Sequence, residues 1–229
     1  MFIGGFQKIS LIDYPGKICA IVFTQGCNFR CPYCHNPELV DPKLFHNSIE
    51  GKEIFSFLKS RIGKLDAVEI TGGEPTLQRD LLTFIKKIKE MGFLIKLDTN
   101  GSNPEVLEKI IKERFVDYIA MDIKAPLEKY KEVIHSNICS EKIKKSIELI
   151  MHSGIKYEFR TTVVKSQLSK EDFLSIGKLI EGAELYILQK FIPSKTLDPN
   201  FSNEKTYSDK EFKTLKKELE RFVFKCLVR

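Results

Sequence analysis

The sequence predicts an α/β protein built as a partial (β/α)6 TIM-like barrel with parallel strands. Three observations carry this. Apolar, β-branched runs alternate with segments of helical period along most of the chain. There are about six such β–α pairs, which suit an open barrel better than a closed eightfold one. The 229 residues form one large domain, with no internal repeat, low-complexity tract or clear linker. The expected organisation is a single domain over 1–229, with a core at about 16–191 and a C-terminal loop and helix at 192–229.

The elements follow in order. Ile18 to Thr24 is the first strand, and a polar, cysteine-rich loop follows it. Glu53 to Ile62 is a helix with Ile54, Phe57 and Leu58 on one face. Ala67 to Thr71 is a short strand, and Leu81 to Met91 a helix stopped by Gly92. Phe93 to Thr99 is a strand. Pro104 to Lys112 is a helix, with Asn103 as cap and Pro104 in its first position. Asp117 to Asp122 is a strand, Glu141 to Ser153 a helix ended by Gly154, and Lys156 to Val164 a strand. Ser169 to Leu179 is a helix and Glu184 to Phe191 the last strand. Residues 192–207, rich in Pro, Ser and Asn, read as loop. The final helix begins at Ser208, whose spacing to Glu211 makes a capping box. In such a fold the chemistry sits at the C-terminal ends of the strands.

Composition narrows the function. Hydrophobic residues make up 42% and charged residues 30%, as in a water-soluble globular domain. No apolar run nears the ~18–20 residues that span a membrane. Met1 to Ser10 lacks the basic-then-apolar pattern of a secretory signal, so a cytoplasmic protein is expected. The net charge of +6 is mild. Its lysines lie on helical segments such as Lys86-Lys87-Lys89 and Lys142-Lys144-Lys145, which read as solvated faces. No interleaving of basic and aromatic residues suggests a nucleic-acid partner.

Six cysteines are present, and three fall within eight residues: Cys27, Cys31 and Cys34, spaced C-x3-C-x2-C in the loop after the first strand. Cys19 reads as core, and Cys139 and Cys226 stand alone. Three thiolates so close on one loop can hold three corners of an iron–sulfur cubane, leaving the fourth iron open to an exogenous ligand. Structural zinc is the alternative, but it usually takes four protein ligands, often from paired knuckles, and no second knuckle follows.

This motif right after a first strand, with Tyr33 before the third cysteine, resembles the radical S-adenosylmethionine (SAM) superfamily. The continuation Cys34-His35-Asn36-Pro37 is similar to the glycyl-radical-enzyme activating enzymes. Within these, the stretch Lys8-Ile9-Ser10-Leu11-Ile12-Asp13-Tyr14-Pro15-Gly16 and the short length resemble the activating proteins of anaerobic ribonucleoside-triphosphate reductase. The resemblance covers roughly Ile9 to Phe191. It implies a radical SAM fold, a [4Fe–4S] cluster on Cys27, Cys31 and Cys34, and reductive cleavage of SAM to a 5′-deoxyadenosyl radical. That radical would abstract a glycine Cα hydrogen from a glycyl radical enzyme, with a flavodoxin- or ferredoxin-like protein as electron donor.

Polar strand ends gain meaning from the same resemblance. Gly72-Gly73-Glu74-Pro75 alone is a plausible turn. Its glycines permit close backbone approach, and Glu74 can accept a charge-assisted hydrogen bond. By resemblance it holds the amino group of SAM. Asp98 and Thr99 end the third strand, and Asp122 and Lys124 the fourth. Two carboxylates there are costly without a cation, and by resemblance these residues line the SAM site, in some relatives with a monovalent cation. Lys124 would reach SAM or the substrate chain. Arg160, a charge inside an apolar strand, needs a partner; by resemblance that is the SAM carboxylate. Gln189 is a candidate for the adenine side. Two other readings stay open: a radical SAM enzyme acting on a small molecule, in the manner of a deazapurine synthase, and a non-catalytic iron–sulfur electron carrier.

Overall fold

The computed structural model describes all residues, 1–229. One eight-stranded sheet runs in sequence order from β1 to β8. The strands are β1 (Ile3–Ser10), β2 (Cys19–Thr24), β3 (Ala67–Gly72), β4 (Leu94–Thr99), β5 (Tyr118–Asp122), β6 (Lys156–Val163), β7 (Tyr186–Lys190) and β8 (Cys226–Val228). From β2 to β8 every neighbour pairs in parallel, while β1 pairs with β2 antiparallel. The six strands expected from the sequence are β2 to β7. Edge strands β1 and β8 add to them without pairing to each other, so the barrel stays open.

The helices are α1 (Pro37–Val40), α2 (Gly51–Lys59), α3 (Leu81–Glu90), α4 (Pro104–Lys112), α5 (Tyr130–Ile134), α6 (Ser140–Met151), α7 (Lys170–Leu179) and α8 (Asp209–Leu219). Strand periodicity divides the sheet into two faces. Ala20, Val22, Val68, Ile70, Ile95, Leu97, Ile119, Met121 and Phe159 point outward. They join helix residues such as Ile54, Leu58, Ile85, Ile88, Leu107, Ile147 and Ile176 in the main core of 48 buried residues. The inner face carries a small apolar cluster of Tyr14, Cys19, Ile21, Ala67, Tyr118 and Ala120. Above it the inner residues are charged: Glu69, Lys96, Asp98, Asp122, Glu158 and Arg160. Cys19 is therefore core, as expected.

The Ser208 capping box forms, with the Ser208 side chain accepting from the Glu211 amide and the Glu211 carboxylate accepting from Ser208. Asn103 precedes Pro104 at the start of α4, but its side chain does not cap. Its amide donates instead to the Thr76 carbonyl at 3.0 Å, which ties α4 to the turn after β3. Lys86, Lys87, Lys142, Lys144 and Lys145 are exposed, whereas Lys89 reaches Asp117 at 2.6 Å. No helix is long and apolar enough to cross a membrane.

Candidate active site

One cavity of about 210 Å³ lies at the C-terminal ends of β2 to β6. Cys27, Tyr33, Gly73, Asp98, Lys124 and Arg160 are among its walls, along with Cys31, Cys34, Gly72, Glu74, Thr99 and Asp122. Every sequence-derived site residue except Gln189 thus meets at one place. Gln189 is in register with Thr162, which lines the cavity, but sits one strand farther out and does not reach the wall.

The cysteine loop is held at three points. At the Cys27 end, Asn100 Nδ2 donates to Asn28 Oδ1 at 3.0 Å and the Gly26 amide donates to the Leu39 carbonyl at 2.8 Å. Before Cys31, the Arg30 amide donates to the Ile134 carbonyl at the end of α5, at 2.8 Å, and Phe29 packs edge-on against Tyr130. At the Cys34 end, the amides of Leu197 and Asp198 donate to the carbonyls of Cys34 and Pro32, each at 2.9 Å. Burial pushes the thiols of Cys27 and Cys31 up to about 12 and about 11, and raises Cys34 as well. Such thiols keep their protons until a metal displaces them.

The paired glycines line the cavity and also bring two backbone segments together. Gly72 has φ +118, and a Cβ there would lie 2.3 Å from the Thr24 amide nitrogen. A Cβ on Gly73 would lie 2.2 Å from the Gly26 carbonyl oxygen. The glycines let the β3 turn press against the backbone that leads into the cysteine loop. The Gly73 amide donates to the Thr24 carbonyl and the Glu74 amide to the Gly26 carbonyl, both at 2.8 Å. Glu74 itself is fully buried. Its Oε1 accepts from the Thr76 amide (3.0 Å), the Thr76 hydroxyl (2.5 Å) and the Thr99 hydroxyl (2.8 Å), and its Oε2 from the Asn100 amide (2.6 Å). Burial raises its pKa against these bonds. In this arrangement Glu74 ties the ends of β3 and β4 together.

A ladder of alternating charges crosses the inner face. Lys96 Nζ lies 2.6 Å from Glu69 Oε1 and 2.8 Å from Asp98 Oδ1. Arg160 Nη1 donates to Asp98 Oδ2 at 2.9 Å, and its Nε to Asp122 Oδ1 at 2.8 Å. Lys124 Nζ donates to Asp122 Oδ2 at 3.0 Å and lies 6.0 Å from the Tyr33 ring centroid. The Arg160 guanidinium lies between the two aspartates. Burial alone would raise Asp98 and Asp122, yet Arg160 with Lys96 and Lys124 holds both below the usual carboxylate range. Arg160 lines the cavity, and its Nη2 makes no hydrogen bond within the chain.

Sequence reasoning missed Glu69 and Lys96. They are register partners on β3 and β4. Their signal was a pair of opposite charges, each interrupting an apolar strand.

The residues 21–180 match the family model described as the Radical SAM superfamily. The chain belongs to the radical SAM superfamily. A Methanocaldococcus jannaschii protein, MJ1227, described as a glycyl-radical enzyme activating enzyme, is 36% identical, covering 99% of this chain and 95% of its own. The pyruvate formate-lyase-activating enzyme of Clostridium pasteurianum is 29% identical over 86% of this chain and 84% of its own. Among solved structures, Streptococcus suis SuiB bound to S-adenosylmethionine superposes with a TM-score of 0.69 at 14% identity. It covers 91% of this chain but 49% of SuiB, which speaks for the shared fold. Within the superfamily the chain groups with the activating enzymes of glycyl-radical enzymes, which makes it a radical SAM oxidoreductase.

Members of the superfamily use a [4Fe–4S] cluster and SAM, and the residues here fit both. Three thiols stand around one cavity, and no three His, Cys, Asp or Glu side chains converge closely enough to hold a single metal ion. A cubane differs from a single ion in taking its thiolates at separate corners. The unbonded Nη2 of Arg160 and the ammonium of Lys124 suit the carboxylate of an amino acid.

Proposed function

We propose that this chain activates a glycyl radical enzyme by removing a hydrogen atom from one glycine Cα, and that the partner is anaerobic ribonucleoside-triphosphate reductase. The observation that carries the reading is the convergence of Cys27, Cys31 and Cys34 with Arg160 and Lys124 on one cavity at the mouth of an open barrel. When bound, the reduced cluster and SAM supply one electron and the 5′-deoxyadenosyl group that takes the hydrogen.

The chain's own residues bind and orient. Cys27, Cys31 and Cys34 would hold three irons. Arg160 Nη2 and Lys124 would bind the SAM carboxylate, with Asp98 and Asp122 fixing the guanidinium from two sides. The wall formed by Tyr33, Gly72, Gly73, Glu74 and Thr99 would shape the pocket for the rest of SAM and keep water from it. Gln189 would act only on a ligand group that extends past Thr162. An extended loop of the partner would enter by the open side of the barrel, between the unpaired edges of β1 and β8. A flavodoxin- or ferredoxin-like donor in the cytoplasm would deliver the electron. The names of MJ1227 and of the Clostridium enzyme support the activating role. The specific partner rests on the stretch from Lys8 to Gly16 and the short length of the chain.

The test is anaerobic reconstitution, reduction, and addition of SAM with the reductase. The expected result is 5′-deoxyadenosine together with an organic radical on the reductase, both lost in Cys31→Ala. Production of 5′-deoxyadenosine with no radical on the reductase would refute the partner. No SAM cleavage by an iron-loaded chain would favour the electron carrier.

A further inference from the structure

Residues 191–198 leave the end of β7 and cross the cysteine loop at its third cysteine. We infer that this segment is a strap that positions the Cys34 corner of the cluster, with the backbone amides of Leu197 and Asp198 and the ring of His35 as its positioning groups.

Several contacts join the two segments. The Leu197 amide donates to the Cys34 carbonyl and the Asp198 amide to the Pro32 carbonyl, each at 2.9 Å. The His35 ring stacks on Phe191 with centroids 5.2 Å apart and planes 12° apart. His35 Nε2 is 3.0 Å from the Ile192 carbonyl oxygen, and so donates to it. Lys195 pairs with Glu38 at 2.9 Å. Beyond the crossing, the strap is fastened to the end of β6, where the Lys165 amide donates to the Lys205 carbonyl and the Thr206 hydroxyl to the Val163 carbonyl, both at 2.8 Å.

The cysteine loop needs such a fixture. Its own hydrogen bonds near Cys34 amount to one turn, from the Cys34 amide to the Cys31 carbonyl at 3.0 Å. The Cys27 end rests on Asn100 and the Leu39 carbonyl, and the Cys31 end on α5. Each cysteine therefore has its own anchor on a different part of the fold, and the strap is the anchor for the third. Ligands are held to a cluster by partners of this kind, which orient them and tune its electronics.

None of residues 191–198 lines the cavity, so the strap's effect is read on the cluster. Leu197→Pro removes one amide donor, while Ser194→Pro alters the same strap at an exposed residue whose amide makes no hydrogen bond within the chain. Reconstituted chains are compared for iron content, for release of iron to a chelator, and for the EPR spectrum of the reduced cluster. Leu197→Pro should lose iron roughly fivefold faster than wild type, the worth of one ordinary hydrogen bond, with a shifted spectrum. Ser194→Pro should match wild type. His35→Phe keeps the stack on Phe191 and drops the bond to Ile192. It should shift in the same direction by less, and it decides the question if Leu197→Pro does not fold. Hydrogen exchange on the chain before reconstitution should show the amides of Leu197 and Asp198 protected. Fast exchange at both, or iron release in Leu197→Pro or His35→Phe indistinguishable from wild type, overturns the inference. Equal loss in Ser194→Pro and Leu197→Pro overturns the assignment to the amides. Iron uptake by the wild type reports on the cluster itself, and the ratios between variants report on the strap.

Discussion

Replacing Arg160 with Met tests the charge ladder most directly. The guanidinium holds Asp98 Oδ2 at 2.9 Å and Asp122 Oδ1 at 2.8 Å, with its side chain 11% exposed. Removing one partner of a buried ion pair costs about 3–5 kcal/mol. Here each aspartate keeps a lysine, Lys96 at 2.8 Å and Lys124 at 3.0 Å. The lower end, about 3 kcal/mol, is therefore expected, which lowers Tm by about 6–12 °C for a domain of this size. The pH dependence gives a sharper test. Arg160 and the lysines hold both aspartates below their ordinary value despite burial. Such groups stabilise the fold above the unfolded carboxylate pKa, and that stability is lost as pH falls through the folded value. The variant relieves its unpaired charge by taking up protons on these aspartates. Its deficit should thus be largest near pH 7 and shrink towards about pH 4, near the ordinary aspartate value. Thermal denaturation of both chains across that range measures it. A deficit equal at every pH, or a variant as stable as wild type at pH 7, refutes the ladder as a stabilising element.

Other substitutions probe the remaining parts of the site. Gly73→Ala sets a Cβ 2.2 Å from the Gly26 carbonyl oxygen, a backbone atom that cannot swing away, so it should cost about 2–3 kcal/mol and lower iron loading. Gly154→Ala, at φ +68 with open space around it, should cost about 1–2 kcal/mol and leave iron loading unchanged. In urea denaturation Lys96→Met should cost about 3 kcal/mol, because Lys96 Nζ joins the buried Glu69 and Asp98 carboxyls. Adding Glu69→Gln should then cost less than the sum of the two single losses, and additive losses would contradict the pairing. Glu74→Gln sets an amide donor against either the Asn100 or the Thr76 amide, and should cost about 2 kcal/mol and weaken SAM binding in calorimetry.

The strands from β2 to β7 and helices α2, α3, α4, α6 and α7 were legible because period-2 and period-3.6 patterns alternate cleanly there, while the short α1 and α5 were not. The edges were not. β1 contains Gly4 and Gly5 and exposes Gln7, Lys8 and Ile9, so it lacks the apolar run of an inner strand. β8 has three residues, fewer than a period needs to show. At the site, residues belonging to motifs could be named, but the partners of each could not. Arg160 called for a carboxylate, and two aspartates 62 and 38 positions away provide it. The motif named Glu74, but not its bonds to Thr76, Thr99 and Asn100. Such pairings depend on strand register, which a single strand's pattern does not contain.

The contact between Gly26 and Gly73 has a mechanical consequence. With no side chain on either residue and two hydrogen bonds between their segments, the turn after β3 and the start of the cysteine loop form a backbone-to-backbone weld. The two loops must then move as one body. Any adjustment at the site falls to segments outside the weld. The strap beyond β7 and the stretch from Lys124 to Ile134 that carries α5 grip the same loop at its other two cysteines.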